Sequence, residues 1–259
     1  MIKNSCDWLL MALGFVYWAI AGLSITVLGT LLYWVLPTRY AHPCGKYIIQ
    51  QALKLFIAYF KVARLLILDD DDLKQLAQTP GAMIIAPNHL ALWDAVFIIA
   101  QIPEITCIMK GAILRNPILG GGARLAGYIP NDSTRQMLLS ATHRAKKGAK
   151  LLVFPEGTRT KHDAEWLNPF MGSVALLAKY AHAPIIPVYI RSDSRFLEKD
   201  RPLFLKPAFP IRISIKVGEP IHFNKGEAVE AFTKALEYSY IAELSKPHPL
   251  SRKAIIQSV

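Results

Sequence analysis

From Trp8 to Thr38 the chain runs 31 positions without a charged residue, and Leu, Ile, Val, Trp and Tyr fill much of that stretch. About 20 apolar residues in helical form are enough to cross a bilayer core. The segment therefore reads as a long helix whose surroundings are lipid or protein. It is far longer than the apolar region of a cleaved signal peptide, about 7–15 residues, and no clear small-residue cleavage site follows. Gly14, Gly22 and Gly29 let such a helix bend or pack closely, and Trp18 and Trp34 suit membrane interfaces. One tilted span and a bent pair of helices lying in one leaflet both satisfy the pattern.

The next stretch, YIIQQALKLFIAYFKVARLLIL (Tyr47 to Leu68), has apolar residues at helical spacing, interrupted by Lys54, Lys61 and Arg64. Lys54 and Lys61 lie seven residues apart and share one face. A basic amphipathic helix of this kind suits an anionic membrane surface; the plainer reading is a surface helix packed on the domain core. Basic residues after the first segment (Arg39, Lys46, Lys54, Lys61, Arg64) outnumber Lys3 before it, which puts the bulk of the chain on the cytoplasmic side.

Composition agrees with a membrane surface. Of 259 residues 53% are hydrophobic, mean hydropathy is +0.27 and net charge is +11. A basic chain fits either nucleic acid or anionic lipid. The basic residues here follow apolar segments and no nucleic-acid motif appears, so no nucleic-acid partner is expected. Cys6, Cys44 and Cys107 form no CxxC pair and no disulfide framework; a reducing compartment is the simpler assumption, and Cys107, in an apolar run, reads as core. The four acids Asp69 to Asp72 read as a solvated turn capping the next helix, because adjacent carboxylates on a turn point in different directions.

Beyond Gln78, strand and helix patterns alternate. Strands are expected at Ala82 to Pro87, Ile105 to Met109, Gly127 to Pro130, Lys150 to Pro155, Pro184 to Ile190 and Ile211 to Val217. Helices are expected from a capping-box Ser133 to near Gly148, from Gly172 to His182, and from Glu227 to Leu244. Such alternation specifies an α/β layered domain with a largely parallel central sheet flanked by helices. The expected organisation is an N-terminal membrane-associated helical segment over 1–68 and an α/β domain over 69–259.

Ligands of such folds bind beyond the carboxyl ends of strands, and the unusual polar residues cluster there. His89 and Asp94 follow the first strand, Lys110 the second, and FPEGTRT (Phe154 to Thr160) the KLLV strand. Inside one regular helix, residues five apart are separated by about 140°. His89 must therefore sit in the turn before the helix for Asp94 to reach its ring. A carboxylate on Nδ1 then fixes the tautomer and leaves Nε2 as a free base. The plainer reading is a core histidine satisfied by a neighbour. In FPEGTRT, Gly157 permits a tight turn or close ligand approach, Thr158 and Thr160 offer hydroxyls, and Arg159 can grip a phosphate in a fork. Glu156 can bond a polyol hydroxyl or hold the loop. A strand-to-helix turn with a surface ion pair is the alternative.

NHLALWD, then FPEGTRT, then PIIPVYI, in this order and at this spacing, closely resemble the glycerolipid acyltransferase family, over about Ala82 to Ile190. Its best-known members are the 1-acylglycerol-3-phosphate acyltransferases. The resemblance implies that His89 is the general base and Asp94 orients it. It implies substrate-binding roles for Asn88, Lys110, Arg115, Glu156, Gly157, Thr158 and Arg159, and a supporting segment around Pro187. The expected reaction moves a fatty acyl group from acyl-CoA or acyl carrier protein to the hydroxyl of a lysolipid, with 1-acylglycerol-3-phosphate as the expected acceptor, in phospholipid biosynthesis. No metal and no other cofactor is expected, and there is no GxSxG serine nucleophile. A backbone N–H near Gly111 or at the start of the following helix is a candidate oxyanion donor. The expected partners are membrane lipids and the acyl carrier; the expected place is the cell inner membrane or another cytoplasm-facing membrane, with the catalytic domain in the cytoplasm. No oligomeric state is assigned.

Two departures bear on the acceptor. Where the family usually has an arginine near the end of its middle motif, this chain has PND (Pro130 to Asp132), with Arg115, Arg124 or Arg135 as possible compensation. Where a lysine often follows the phenylalanine of NPFMGS, this chain has Met171. A phosphate-free lyso-aminolipid acceptor and a non-catalytic membrane-binding module are the alternatives. Gly120 to Gly122 lack the GK[ST] ending of a phosphate loop and read as close packing or loop mobility.

Overall fold

The computed structural model describes residues 2–201 and 207–250. Two long helices come first, α1 (Ile2–Val35) and α2 (Thr38–Val62). They are followed by β1 (Leu66–Asp69), α3 (Asp71–Gln78), β2 (Met83–Pro87), α4 (Asp94–Gln101), β3 (Thr106–Met109), α5 (Gly111–Leu114) and α6 (Gly120–Leu125). Then come β4 (Ile129–Pro130), α7 (Thr134–Ala145), β5 (Lys150–Leu152), α8 (Gly172–Ala181), β6 (Ile185–Ser192), β7 (Ile211–Val217) and α9 (Val229–Leu244). The seven strands form one sheet in the order β1-β7-β6-β2-β5-β3-β4. Every neighbouring pair is parallel except β6 and β7, which run antiparallel. The mixed α/β architecture expected from the alternating pattern is present.

The strands read clearly in sequence because β2 and nearly all of β6 are buried, and strands covered on both faces are continuous apolar runs. One core, containing Phe56, Phe60, Trp93, Phe97 and Ile98, joins α2 and α4 to one face of the sheet. The other, containing Met137, Leu177, Leu236 and Tyr240, joins α7, α8 and α9 to the opposite face. Tyr240 of α9 donates a hydrogen bond to the Ala86 carbonyl, anchoring the end of β2. That end carries the turn with His89.

The amphipathic helix differs from expectation at both ends. It begins at Thr38 and stops at Val62, and Leu66 to Leu68 are strand. Arg64 adopts a left-handed φ of 56°, which breaks the helix. The chain then pairs Leu66 with Ile211 and Leu68 with Ile213. The division after residue 68 thus falls inside a strand of the sheet.

The acids at 69–72 diverge. Asp69 pairs with Lys216 at 3.2 Å, Asp71 pairs with Lys74 at 2.7 Å, and Asp72 accepts from the Val217 N–H at 3.1 Å. Asp70 is not solvated as expected: it is buried, and accepts from Gln101 and pairs with Lys74 at 3.1 Å.

The N-terminal helices pack along the α/β layers. Tyr17 donates to the Ala52 carbonyl at 2.9 Å, and Thr26 donates to the Ile118 carbonyl at 2.6 Å. The glycine run lies where α6 meets α1. A Cβ on Gly121 would lie 2.2 Å from the Thr26 carbonyl oxygen, and one on Gly29 would lie 2.9 Å from the Gly121 oxygen. Glycine at these positions allows two helix backbones to meet without side chains between them. The opposite face of α1 is an exposed apolar stripe, Leu9, Leu13, Val16, Ile20, Leu23, Val27 and Leu31, spaced three and four residues apart. Among the described residues, α1 is the one helix long and apolar enough to cross a membrane, over Cys6–Val35.

Candidate active site

His89 stands in the turn between β2 and α4, and Asp94 is the first residue of α4. The carboxylate therefore sits one helical start beyond the ring and reaches back to it. His89 Nδ1 lies 3.0 Å from Asp94 Oδ2, which also accepts from the Ala91 N–H at 2.8 Å. An acidic acceptor makes Nδ1 the protonated nitrogen and leaves Nε2 with its lone pair. The His89 ring stacks on Phe154, centroids 3.8 Å apart, which fixes its plane. Asp94 is buried, and burial pushes its carboxyl above the usual carboxylate range, against the opposing pull of His89 and the backbone donors.

Glu156 clasps the two loops that meet here. It is buried and accepts from the His89 N–H at 2.8 Å, the Asn168 N–H at 2.7 Å and the Thr160 hydroxyl at 2.8 Å. The Thr160 N–H donates to the His89 carbonyl at 2.6 Å, closing the same clasp from the other side. Of the two sequence readings for Glu156, ligand contact and loop support, these bonds are those of loop support. Burial raises its carboxyl above the ordinary value. Asn88, expected from the resemblance to bind substrate, is fully buried: its Oδ1 accepts from the Ile190 N–H at 2.7 Å and its Nδ2 donates to the Ile190 carbonyl at 3.0 Å. Both its polar ends bind β6 to the end of β2.

A cavity of about 510 Å³ opens beside His89. Its wall comes from both halves of the molecule: Trp18, Gly22 and Ile25 of α1, Ile49 and Phe56 of α2, Val96 and Ile99 of α4, and Ala123 of α6. Cys107 also lines it, with its thiol pushed up to about 12 by burial, so it stays protonated. At the polar end are His89, Lys110, Gly157, Thr158, Arg159, Lys199 and Asp200. An apolar hollow with a few convergent polar groups is the ordinary form of a binding site for a small or lipidic molecule. Asn88, Arg115 and Glu156 are not on its wall. Gly157 takes a left-handed φ of 66°, a conformation that favours glycine.

The Gly111 N–H donates to Asp132 Oδ1 at 3.1 Å, so that donor, considered for an oxyanion, is already engaged. Asp132 Oδ2 also holds Arg115 at 3.3 Å. Arg159 Nη1 donates to the Leu197 and Glu198 carbonyls at 2.9 and 3.1 Å. Lys199 and Asp200 belong to no motif, and nothing in their sequence neighbourhood marks them as cavity residues.

Residues 71–191, most of the α/β part of the chain, match the family model described as Acyltransferase. The chain is 29% identical over 148 residues to the 1-acyl-sn-glycerol-3-phosphate acyltransferase of Saccharomyces cerevisiae, covering 54% of this chain and 48% of that protein. It is 22% identical over 178 residues to the enzyme of that name from Pseudomonas aeruginosa, covering 66% of this chain and 68% of that protein. The match to the chloroplastic relative BAT2 of Brassica napus spans 38% of that protein, so the first two curated relatives are matched over half their length or less. The crystal structure of the 1-acyl-sn-glycerophosphate acyltransferase PlsC from Thermotoga maritima superposes with a TM-score of 0.65 at 19% identity, covering 95% of this chain and 98% of that one. That likeness is one of fold.

Proposed function

We propose that this chain is a membrane-associated acyltransferase that moves a fatty acyl group from a thioester to the free hydroxyl of 1-acylglycerol-3-phosphate. The observation that carries this reading is the His89–Asp94 pair, 3.0 Å apart, at the polar end of an apolar cavity of about 510 Å³. The names of the relatives support the acceptor.

The chemistry follows from the geometry. Nε2 of His89 takes the proton of the acceptor hydroxyl as its oxygen attacks the thioester carbonyl. The tetrahedral intermediate collapses with cleavage of the C–S bond, and the leaving thiolate takes the proton back from Nε2. Asp94 holds the ring through Nδ1 and stabilises the imidazolium between the two steps. The acyl chain lies in the apolar hollow between α1, α2, α4 and α6. Acyl-CoA and acyl carrier protein both fit as donor, and the chain needs no metal for these steps.

The exposed stripe on α1 supports membrane association. One side of α1 packs on the α/β layers from Phe15 against Phe196 to Gly29 against Gly121, so the helix stays with the globular part along its length. The outer stripe then lies in the lipid of one leaflet, with exposed Lys54 of α2 able to meet anionic head groups, whereas Lys61 is half-buried and pairs with Asp70 at 3.7 Å. We place the catalytic domain on the cytoplasmic face of the cell inner membrane or an equivalent membrane, from the basic residues that follow α1.

The test is an acceptor panel with the full chain in detergent, using acyl-CoA and acyl carrier protein as donors. 1-Acylglycerol-3-phosphate is expected to be acylated in preference to a lyso-aminolipid. Turnover confined to the lyso-aminolipid would overturn the acceptor, and turnover with no acceptor would overturn the enzyme.

A further inference from the structure

α2 carries two faces. Tyr40, Tyr47, Leu55 and Val62 are exposed and recur at seven- and eight-residue spacing, which puts them on one side of the helix. His42 and Lys46 stand one turn apart on the other side, half-buried against the α/β layers. The His42 ring lies against Gly127, where a Cβ would be 2.7 Å from its Nε2. Lys46 Nζ donates to the Glu104 carbonyl at 2.9 Å and to Thr106 Oγ1 at 2.7 Å. A third cation reaches the same place from α7. Thr106 begins β3 and is the register partner of Leu151 in β5. Ala149, just ahead of β5, donates its N–H to the Arg144 carbonyl at 3.1 Å. The last turn of α7 therefore ends beside the start of β3, at the end of the sheet away from His89.

The three cations act on one another. Burial and then Arg144 push the Lys46 ammonium down to about 8, against the pull of Glu104, and burial, Arg144 and Lys46 lower His42. Among the described residues none of the three is in an ion pair, and the Arg144 side chain makes no hydrogen bond. Glu104 is exposed at the rim, and its carboxylate forms no ion pair with Lys46. A basic residue in a last helical turn complements the helix dipole, which accounts for Arg144 but not for two cations brought to it from α2. Like charges gathered in a half-buried place disfavour one another until an anion shares the site. The depth of the cluster points to the anion. A helix with its side chains is about 10–12 Å thick, and the head-group layer of one leaflet is about 5–7 Å deep. With the exposed stripe of α2 in the acyl region, His42 and Lys46 on the far side stand at the level of the head groups.

Resting on the membrane association proposed above, we propose that His42, Lys46 and Arg144 form a binding site for the phosphate of an anionic phospholipid, apart from the cavity beside His89, and that the bound lipid ties α7 to the leaflet that holds α1 and α2. None of the three residues lines that cavity. Guanidinium and ammonium donors meet phosphate oxygens through charge-assisted hydrogen bonds.

The test is thermal melting of the full chain in an uncharged detergent, titrated with dihexanoyl phosphatidylglycerol, dihexanoyl phosphatidylcholine or inorganic phosphate. Phosphatidylglycerol is expected to raise the melting temperature at lower concentrations than phosphatidylcholine, and inorganic phosphate to leave it unchanged. Arg144→Gln is expected to weaken the apparent affinity for phosphatidylglycerol about fivefold without altering that for phosphatidylcholine, and Arg144→Lys to keep most of it. Melting without lipid checks that Arg144→Gln is folded; His42→Gln, read in the same titration, is expected to act in the same direction. Lys146→Gln combined with Lys147→Gln removes two exposed charges and is expected to leave the affinity near wild type, because salt screens them. Wild-type affinity in folded Arg144→Gln, an equal loss in the Lys146/Lys147 control, or an equal response to inorganic phosphate overturns the proposal. Wild-type chain that fails to float with vesicles of the two lipids overturns the membrane association itself, and the two failures are distinct.

Discussion

Replacing His89 with alanine is expected to lower acyl transfer by about 10²–10⁴-fold, the usual worth of a positioned general base, while leaving the chain folded. The ring makes few contacts that the fold depends on. The links to Glu156 and Thr160 use the His89 backbone N–H and carbonyl, which alanine keeps. What alanine removes is the imidazole on Phe154 and the bond to Asp94. Asp94→Asn is expected to act in the same direction. An amide nitrogen turned toward the ring favours the tautomer with the proton on Nε2, which cannot accept a proton from the acceptor. Initial rates with acyl thioester, alongside thermal melting, check both variants; near-wild-type rates from folded His89→Ala would remove the ring from the mechanism.

Glu156→Ala is expected to have the largest effect on stability. It leaves the His89 N–H, the Asn168 N–H and the Thr160 hydroxyl without their acceptor in a buried place. Each unsatisfied buried group costs about 1–3 kcal/mol, so the loss is about 3 kcal/mol or more and the His89 turn comes loose from the FPEGTRT loop. Glu156→Gln keeps the shape but turns one N–H donor against another, a milder loss. The pH dependence separates charge from shape. Burial holds the Glu156 carboxyl above its ordinary 4.5, so the folded chain keeps that proton when the unfolded chain has released it. Fewer protons bound in the unfolded state make its contribution to stability fall as pH rises from 4.5 through the raised value. Denaturant midpoints followed over that range are expected to show this slope in wild type and its absence in Glu156→Gln.

Much of the fold was legible because the chemistry is local. The apolar run at Met83 to Pro87 had to be a strand buried on both faces, and its burial throughout explains why. Ser133 reads as a helix cap and does accept from the Gln136 N–H. The geometry of His89 was legible too, because only a turn before the helix lets a carboxylate five residues on meet Nδ1. Direction was harder. Sequence shows that Asn88 is polar at the end of a buried strand, but not that Ile190, 102 residues on, takes both its ends. Three of the four residues of β1, Leu66 to Leu68, hid behind an amphipathic helix, because their pairing depends on a strand more than 140 residues later. The cavity was invisible for the same reason: its wall forms where α1, carrying Gly22, packs near Ile118, and where Arg159 bonds the Leu197 and Glu198 carbonyls.

The most direct measurement is a crystal structure of the chain with a non-hydrolysable acyl thioester analogue. The account predicts the acyl chain in the cavity between α1, α2 and α6. It predicts the thioester carbonyl close enough to His89 for a hydroxyl held at Nε2 to stand about 3–3.5 Å from the carbonyl carbon. An acyl chain bound outside that cavity, with its carbonyl out of reach of the imidazole, would contradict it.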